Sequence, residues 1–436
     1  MAEQMKPSGI DWIGDIPESW DVVRIKDIGT YRNGLTYAPE DITEDDNGTL
    51  VLRSSNIQNG KISYDDNVYV KCSVSPELMV KKGDIIICSR NGSRELIGKN
   101  AIIENSGLPC SFGAFMMVYR CSCPRYMYYI LNSEVFSYYL GTFLTSTINQ
   151  LTGNNFGNMK IVFCKDHNEQ KKIVDFLDKE CAQIDSIAAD LEKQIALLQQ
   201  YKKSLITETV TKGLDKSAPM KDSGVEWIGK IPEHWQKTRI KFEASIIGSG
   251  TTPDSGNSMY YDNGEHSWIQ SGDLYGKDYI YETEKQLTNL AILECHALNW
   301  YTKDFVVVAM YGASVGNVAI SKIDSFTNQA CCVIKLNEKN DNRYLFYFLK
   351  AAQEEMLLKA FGGTQPNISQ IIIKNLNFLN VPLLEQIEIA DFLDSKCDMI
   401  NEMLKSKKDQ YDILIKHKKS LIYEYVTGKK RVKEVQ

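Results

Sequence analysis

SGIDWIGDIPESW, residues 8–20, returns as SGVEWIGKIPEHW at residues 223–235. Reading outward, MKPSGIDWIGDIPESWDVVRIK (5–26) and MKDSGVEWIGKIPEHWQKTRIK (220–241) match at 14 of 22 positions. Beyond them the likeness loosens: Gly34 lies against Gly250, LRSSNI (52–57) against IQSGDL (269–274), and KKGDIIICSRNG (81–92) against TKDFVVVAMYG (302–312). It tightens again where EQKKIVDFLDKEC (169–181) answers EQIEIADFLDSKC (385–397), and YKKSLITETVT (201–211) answers HKKSLIYEYVT (417–427). A long internal repeat decides the architecture before any local reading does. The chain is two copies of one unit, alike at their ends and unlike in their middles. Even drift after duplication would blur every part, so the ends do one job twice and the middles do different jobs.

At 436 residues the chain predicts two to four domains. Its 43% hydrophobic and 24% charged residues and mean hydropathy of −0.29 are those of a globular protein. No apolar run nears the roughly 18–20 residues that span a bilayer, and MAEQMKPSGI carries no cleavage signal. No membrane association and a cytoplasmic location are expected. The 11 cysteines, with a CxC at Cys121 and Cys123 and a pair at Cys331 and Cys332, lack zinc spacing. They are expected to be neutral thiols in a reducing compartment, with no metal bound. A net charge of −6 argues against a uniformly basic surface but leaves room for a local basic face.

Two segments, 167–213 and 383–430, read as long helices. Leu177, Ile184, Leu191, Leu198 and Leu205 recur every seventh residue, with Val174, Cys181, Ala188 and Ile195 between them. In the second copy Leu393, Ile400, Leu414 and Leu421 hold the same register, and Lys407 is the one polar interruption. That is a heptad seam. A rod of about 45 residues is roughly 65 Å long and cannot stand alone on one apolar stripe. Each rod is the obvious partner of the other, antiparallel about a pseudo-twofold axis, although a separate chain would also satisfy the stripe.

The middles, 27–166 and 242–382, contain short β-rich runs such as DIIICS and DFVVVAM, punctuated by Gly and Asn. Helical stretches are expected at 124–140 and 342–361. Each middle is thus a mixed α/β domain of about 140 residues, and the whole is α+β. Segments 1–26 and 214–241 form bent hooks, each with two tryptophan anchors (Trp12 and Trp20, Trp227 and Trp235), because Pro and Gly forbid a regular helix there. Residues 431–436 are a basic tail.

Catalytic motifs are missing. GSRELIGKN (92–100) fails as a P-loop on glycine spacing and on Asn100, and GSGTTP (248–253) ends in proline where GxGxxG needs glycine. There is no adenine-methylation tetrapeptide, HExxH or GxSxG. The chain is read as a binder, not a catalyst.

Tandem WIGxIPxxW hooks, two divergent domains and two EQxxIxxFLD…KKSLIxExVT helices resemble the specificity subunit of a type I restriction–modification system, over essentially the whole chain. The resemblance implies two target recognition domains, each reading half of a split, asymmetric target in double-stranded DNA. It implies that the helices set the spacer and dock two methyltransferase subunits, with restriction subunits completing the nuclease. S-adenosylmethionine, ATP and Mg would serve those partners, none being bound by this chain. A recognition subunit for a fused methylase–nuclease, a self-contained restriction or methylation enzyme and a bare coiled-coil scaffold are the alternatives.

Base readout needs side chains with paired donors and acceptors on exposed loops. In the first domain the candidates are Arg53, Ser54 and Asn56 in LRSSNI, then Arg90, Asn91, Ser93 and Arg94 in CSRNGSRE, then Asn154 and Asn155 in the late loop LTGNNFGN. In the second they are Gln270, Ser271 and Asp273, then Tyr311 and Ser314, then Gln365 and Asn367. One departure stands out: the second helix is entered through NVPLLEQ, the first through FCKDHNEQ without the proline.

Overall fold

The computed structural model describes residues 4–44, 48–104, 109–144, 149–312, 314–361 and 366–432. They fall into two compact units, residues 1–192 with 409–436, and residues 193–408. The two long helices, His167–Lys212 and Leu383–Val426, each contribute to both units.

In the first unit the hook is a small antiparallel hairpin, Met5–Pro7 against Asp15–Pro17. Asp21–Arg24 then pairs antiparallel with Lys160–Phe163, Arg24 opposite Lys160. This two-stranded neck encloses the whole recognition domain. Inside it, one antiparallel sheet has the order Asn100–Ile102, Ile85–Cys88, Met116–Cys121, Gly29–Asn33. A second has the order Cys110–Phe112, Thr49–Leu52, Tyr69–Val70, Ile42–Thr43, its first pair parallel. The strand IIIC is buried on both faces, which is why it reads as an unbroken apolar run. Ile85 and Ile87 face the core shared with the long helices, whereas Ile86 and Cys88 face the second sheet.

The second unit repeats this plan. Its hairpin pairs Met220–Asp222 with Lys230–Pro232, and its neck pairs Gln236–Arg239 with Asn377–Asn380, Arg239 opposite Asn377. Its sheets run Ala244–Ser249, Cys331–Leu336, Phe305–Ala309, Val318–Ser321, Tyr279–Ile280, and Gln286–Leu287, His266–Ile269, Phe326–Thr327. Val306 and Val308 face the helix side, and Phe305, Val307 and Ala309 the other.

Each hook receives the ends of both helices. Trp20 is fully buried and its indole N–H donates to Glu169, at the start of the first helix, over 3.3 Å. Arg431, just past the end of the second helix, pairs with Glu169 and lies 5.7 Å from the Trp20 ring. In the second unit Trp235 donates to Glu385 over 3.0 Å, and His234 approaches the same carboxylate at 2.9 Å. The rest of EQxxIxxFLD also has a use. Gln170 donates to the Cys164 carbonyl and Gln386 to the Val381 carbonyl, each over 2.7 Å. Asp178 takes Arg125 at 2.8 Å and the Tyr129 hydroxyl at 2.5 Å. Asp394 takes Arg343 at 2.9 Å and the Tyr347 hydroxyl at 2.7 Å. The repeated motif is therefore the seat on which each recognition domain is bolted to a helix.

Along the seam, Leu177, Ile184, Leu191, Leu393, Ile400 and Leu421 are buried, and Leu198, Leu205 and Leu414 are half-buried. In the first unit Leu177, Cys181 and Ile184 share a core with Leu421, Ile422 and Val426. In the second, Ile206 and Val210 share one with Ile389, Leu393 and Cys397. Two readings need correction. Lys407 is not the one polar interruption: Lys418 donates to Asp185 over 2.5 Å, and Lys202 to Asn401 over 2.8 Å, long stems on the seam with charged ends turned to a polar neighbour on the other helix. The stretches 124–140 and 342–361 are each two helices, Pro124–Leu131 and Glu134–Phe143, Asn342–Ala351 and Gln353–Leu358. Ser133 stops the first run by capping Val135. The missing proline is harmless to helix entry, since Asp166 stands where Pro382 does, its carboxylate accepting the Asn168 N–H over 2.8 Å.

Gly213 and Gly428, just past the helix ends, have φ of +72° and +71°. A Cβ on Gly428 would lie 2.5 Å from Pro17, and one on Gly213 would lie 3.1 Å from Glu385. Gly428→Ala is expected to destabilise by about 1–3 kcal/mol in denaturant melts, and Gly213→Ala by less, because a flexible carboxylate yields more readily than a proline ring.

Candidate nucleic-acid interface

In the first recognition domain, backbone hydrogen bonds draw three separate loops together. The Ser89 N–H donates to the Phe115 carbonyl over 2.9 Å, and the Leu151 N–H donates to the Ser89 carbonyl over 2.7 Å. Arg90 and Gln150 form an isolated antiparallel bridge, and Asn149 reaches the Gly92 carbonyl at 3.3 Å. Asn91 donates to Ser54 over 3.1 Å, tying in the loop that follows Thr49–Leu52. The second domain is stitched the same way: the Met310 N–H to the Ala330 carbonyl and the Ile368 N–H to the Met310 carbonyl, each 2.7 Å. A Cβ on Gly312 would lie 3.9 Å from the Ser271 hydroxyl. Gly34 and Gly250, aligned in the repeat, pass so close to their neighbours that a Cβ would stand 2.2 Å from the Gly113 carbonyl and 1.7 Å from the Thr327 carbonyl. Only glycine lets the backbone through there.

The candidate readers fall into three groups. Arg90, Ser93, Arg94, Asn154 and Asn367 are exposed, and Ser54, Asn91, Asn155, Gln270, Ser271 and Tyr311 are half-buried at the loop surface. Arg53 is half-buried and its guanidinium is held by Asp66 at 2.9 Å. Asn56, Asp273 and Ser314 are buried. The Asn56 carboxamide accepts the Arg53 N–H over 2.9 Å and donates to the Ser63 and Asp66 carbonyls, and Asp273 accepts the Gln270 N–H over 2.8 Å and the Glu284 N–H over 3.1 Å. Both side chains are consumed in holding a tight turn, 54–56 and 271–274. Gln365 lies outside the described residues.

The late loop is corrected to a short helix, Gly153–Asn158, because Thr152 caps the Asn155 N–H over 3.1 Å. Its glycines are there for Tyr31, whose ring would meet a Cβ on Gly153 or Gly157 at 2.7 or 2.6 Å. Missed by residue-type reasoning are Phe115, 59% exposed beside Arg90, and Gln329, bonded to Thr252 in the second domain. Burial pushes the thiols of Cys110 and Cys181 up to about 11, so they stay protonated at neutral pH and pack as small apolar groups. Among the described residues no helix is long and apolar enough to cross a membrane.

The family profile of the type I restriction modification DNA specificity domain matches twice, over residues 17–197 and 232–410. The chain belongs to the type I restriction–modification specificity subunits. Among similar proteins, the putative type I restriction enzyme MjaX specificity subunit of Methanocaldococcus jannaschii is 29% identical, over 97% of this chain and 96% of the relative. The StySPI specificity subunit of Salmonella potsdam is 26% identical, over 86% of this chain and 82% of the relative. A solved chain from work on complex assembly and conformational transition of the type I R-M system shares the fold, with a TM-score of 0.72 at 15% identity, over 95% of this chain and 99% of that one. As a specificity subunit the chain carries two DNA recognition domains in tandem, and catalysis lies with partner methyltransferase and restriction subunits.

Two variants separate support of a loop from contact with DNA. Asn56→Ala is expected to lower stability by about 1–3 kcal/mol, since it strands buried turn groups. Arg94→Ala is expected to leave stability within about 0.5 kcal/mol, while weakening DNA binding by the assembled complex evenly across sequences and lowering its salt dependence by about one ion. Melting curves and salt titrations check both.

Proposed function

We propose that each recognition domain reads one half of a bipartite, asymmetric DNA target through its three stitched loops. The observation that carries this is the sameness of the stitching and the difference of what it presents. Ser89, Phe115 and Leu151 in one domain, and Met310, Ala330 and Ile368 in the other, make equivalent backbone bonds, yet the residues that follow are Arg90 and Asn91 in one case and Tyr311 and Gly312, which has no side chain, in the other. Phosphate contacts position and base contacts specify, so unlike loops on like frames mean unlike half-sites.

The two long helices pair antiparallel along their heptad seams and set the distance between the readers. The pairs Lys418–Asp185 and Lys202–Asn401 support this register. The helices also dock two methyltransferase subunits, which bring S-adenosylmethionine and much of the phosphate grip that a chain of net charge −6 leaves to others. Restriction subunits add ATP- and Mg-dependent cleavage, in the cytoplasm.

Mapping methylated adenines in a host carrying the system is expected to return one two-part, non-palindromic motif. A continuous or palindromic motif would overturn the reading. Removing one heptad from each helix (residues 192–198 and 405–411) shortens the rods by about 10 Å. It is expected to keep both half-sites and change the spacer, by the same mapping.

A further inference from the structure

Seven of the ten arginines have a carboxylate partner: Arg24, Arg32, Arg53, Arg120, Arg125, Arg343 and Arg431. Among the described residues Arg90, Arg94 and Arg239 have none, and the first two share one loop of the first recognition domain. Arg90 differs from the other two in having an aromatic platform. Its guanidinium carbon lies 5.3 Å from the centroid of the Phe115 ring. Phe115 is 59% exposed, but its backbone is fixed: its carbonyl accepts the Ser89 N–H at 2.9 Å, the Arg90 N–H at 3.1 Å and the Ser89 hydroxyl at 2.9 Å.

We infer that Arg90 reads a guanine in the half-site of the first domain, with Phe115 as its positioning residue. This rests on the reading of that domain as a half-site reader. A guanidinium lying against an aromatic ring keeps the donors along its edge free, and that edge matches the O6 and N7 acceptors of guanine in the major groove. The ring limits the guanidinium's freedom before binding, so less entropy is lost when the two hydrogen bonds form. Asn91, held by Ser54, flanks the pair. The second domain has no such pair: its equivalent positions are Tyr311 and the buried Ala330.

The test uses the full chain assembled with its methyltransferase partner, and duplexes in which each guanine of the target is replaced in turn by 7-deazaguanine, which lacks the N7 acceptor. For the unaltered chain, one replacement in the first half-site is expected to weaken binding measurably, by less than the about 5- to 150-fold that a whole bidentate pair carries, because O6 remains. Arg90→Lys and Phe115→Ala are expected to weaken binding to the natural duplex and to lose sensitivity to that same replacement. Phe115→Tyr is expected to restore it. Sensitivity in the second half-site should not move in any variant, which also reports that the chain is folded. If Arg90→Lys keeps the full sensitivity at every guanine, the assignment of Arg90 is wrong. If Phe115→Ala keeps it while Arg90→Lys loses it, Phe115 has no positioning role. If the unaltered complex shows no preference between target and unrelated duplex, the half-site reading itself fails.

Discussion

A rod of about 45 residues with one apolar stripe frays unless its ends are held. Here the ends are held by a buried tryptophan whose indole N–H finds the glutamate that opens a long helix: Trp20 with Glu169, Trp235 with Glu385. Both rings are fully buried, and a large buried ring fixes position while its one polar atom fixes orientation. In each unit the far end of the other helix closes on the same hook, at Gly428 beside Trp20 and at Gly213 beside Trp235. That socket joins the helix ends to the hook from which each recognition domain starts.

This explains why the repeat is sharp at its ends. The three polar residues of EQxxIxxFLD each have a specific partner: Glu for the indole, Gln for a carbonyl at the end of the neck strand, Asp for an arginine and a tyrosine of the recognition domain. The necks show the other half of the logic. What lies between Arg24 and Lys160, or between Arg239 and Asn377, is inserted at a two-stranded ribbon and packs against it, as Tyr126 does on Phe163. Beyond the neck the two copies diverge except where the domain meets the helix, at Arg125 and Tyr129 in one copy and Arg343 and Tyr347 in the other, and at the close-packed Gly34 and Gly250.

Much of this was legible in the sequence, for a physical reason. Heptad spacing and a thirteen-residue repeat are periodic signals, and a period survives without knowledge of the fold. The two long helices and the burial of Leu177 and Leu393 followed from it, although the second helix stops at Val426, short of the expected 430. What was not legible were polar contacts between residues far apart in sequence, such as Arg125 with Asp178, which leave no local pattern. Residue type also misled where a polar side chain serves its own turn. Asn56 and Asp273 have the chemistry of base readers but are buried against backbone groups. TGNNFGN has the composition of a loop but is a capped helical turn fitted to Tyr31.

The central claim is that specificity resides wholly in what each neck holds. Replacing residues 25–159 by a second copy of residues 240–376 would give a chain with two identical readers on an unchanged frame. Mapping of methylated adenines in a host carrying that chain should return an inverted repeat of the second half-site with the native spacer. Retention of the first half-site, or methylation at scattered sites by a folded complex, would contradict the account.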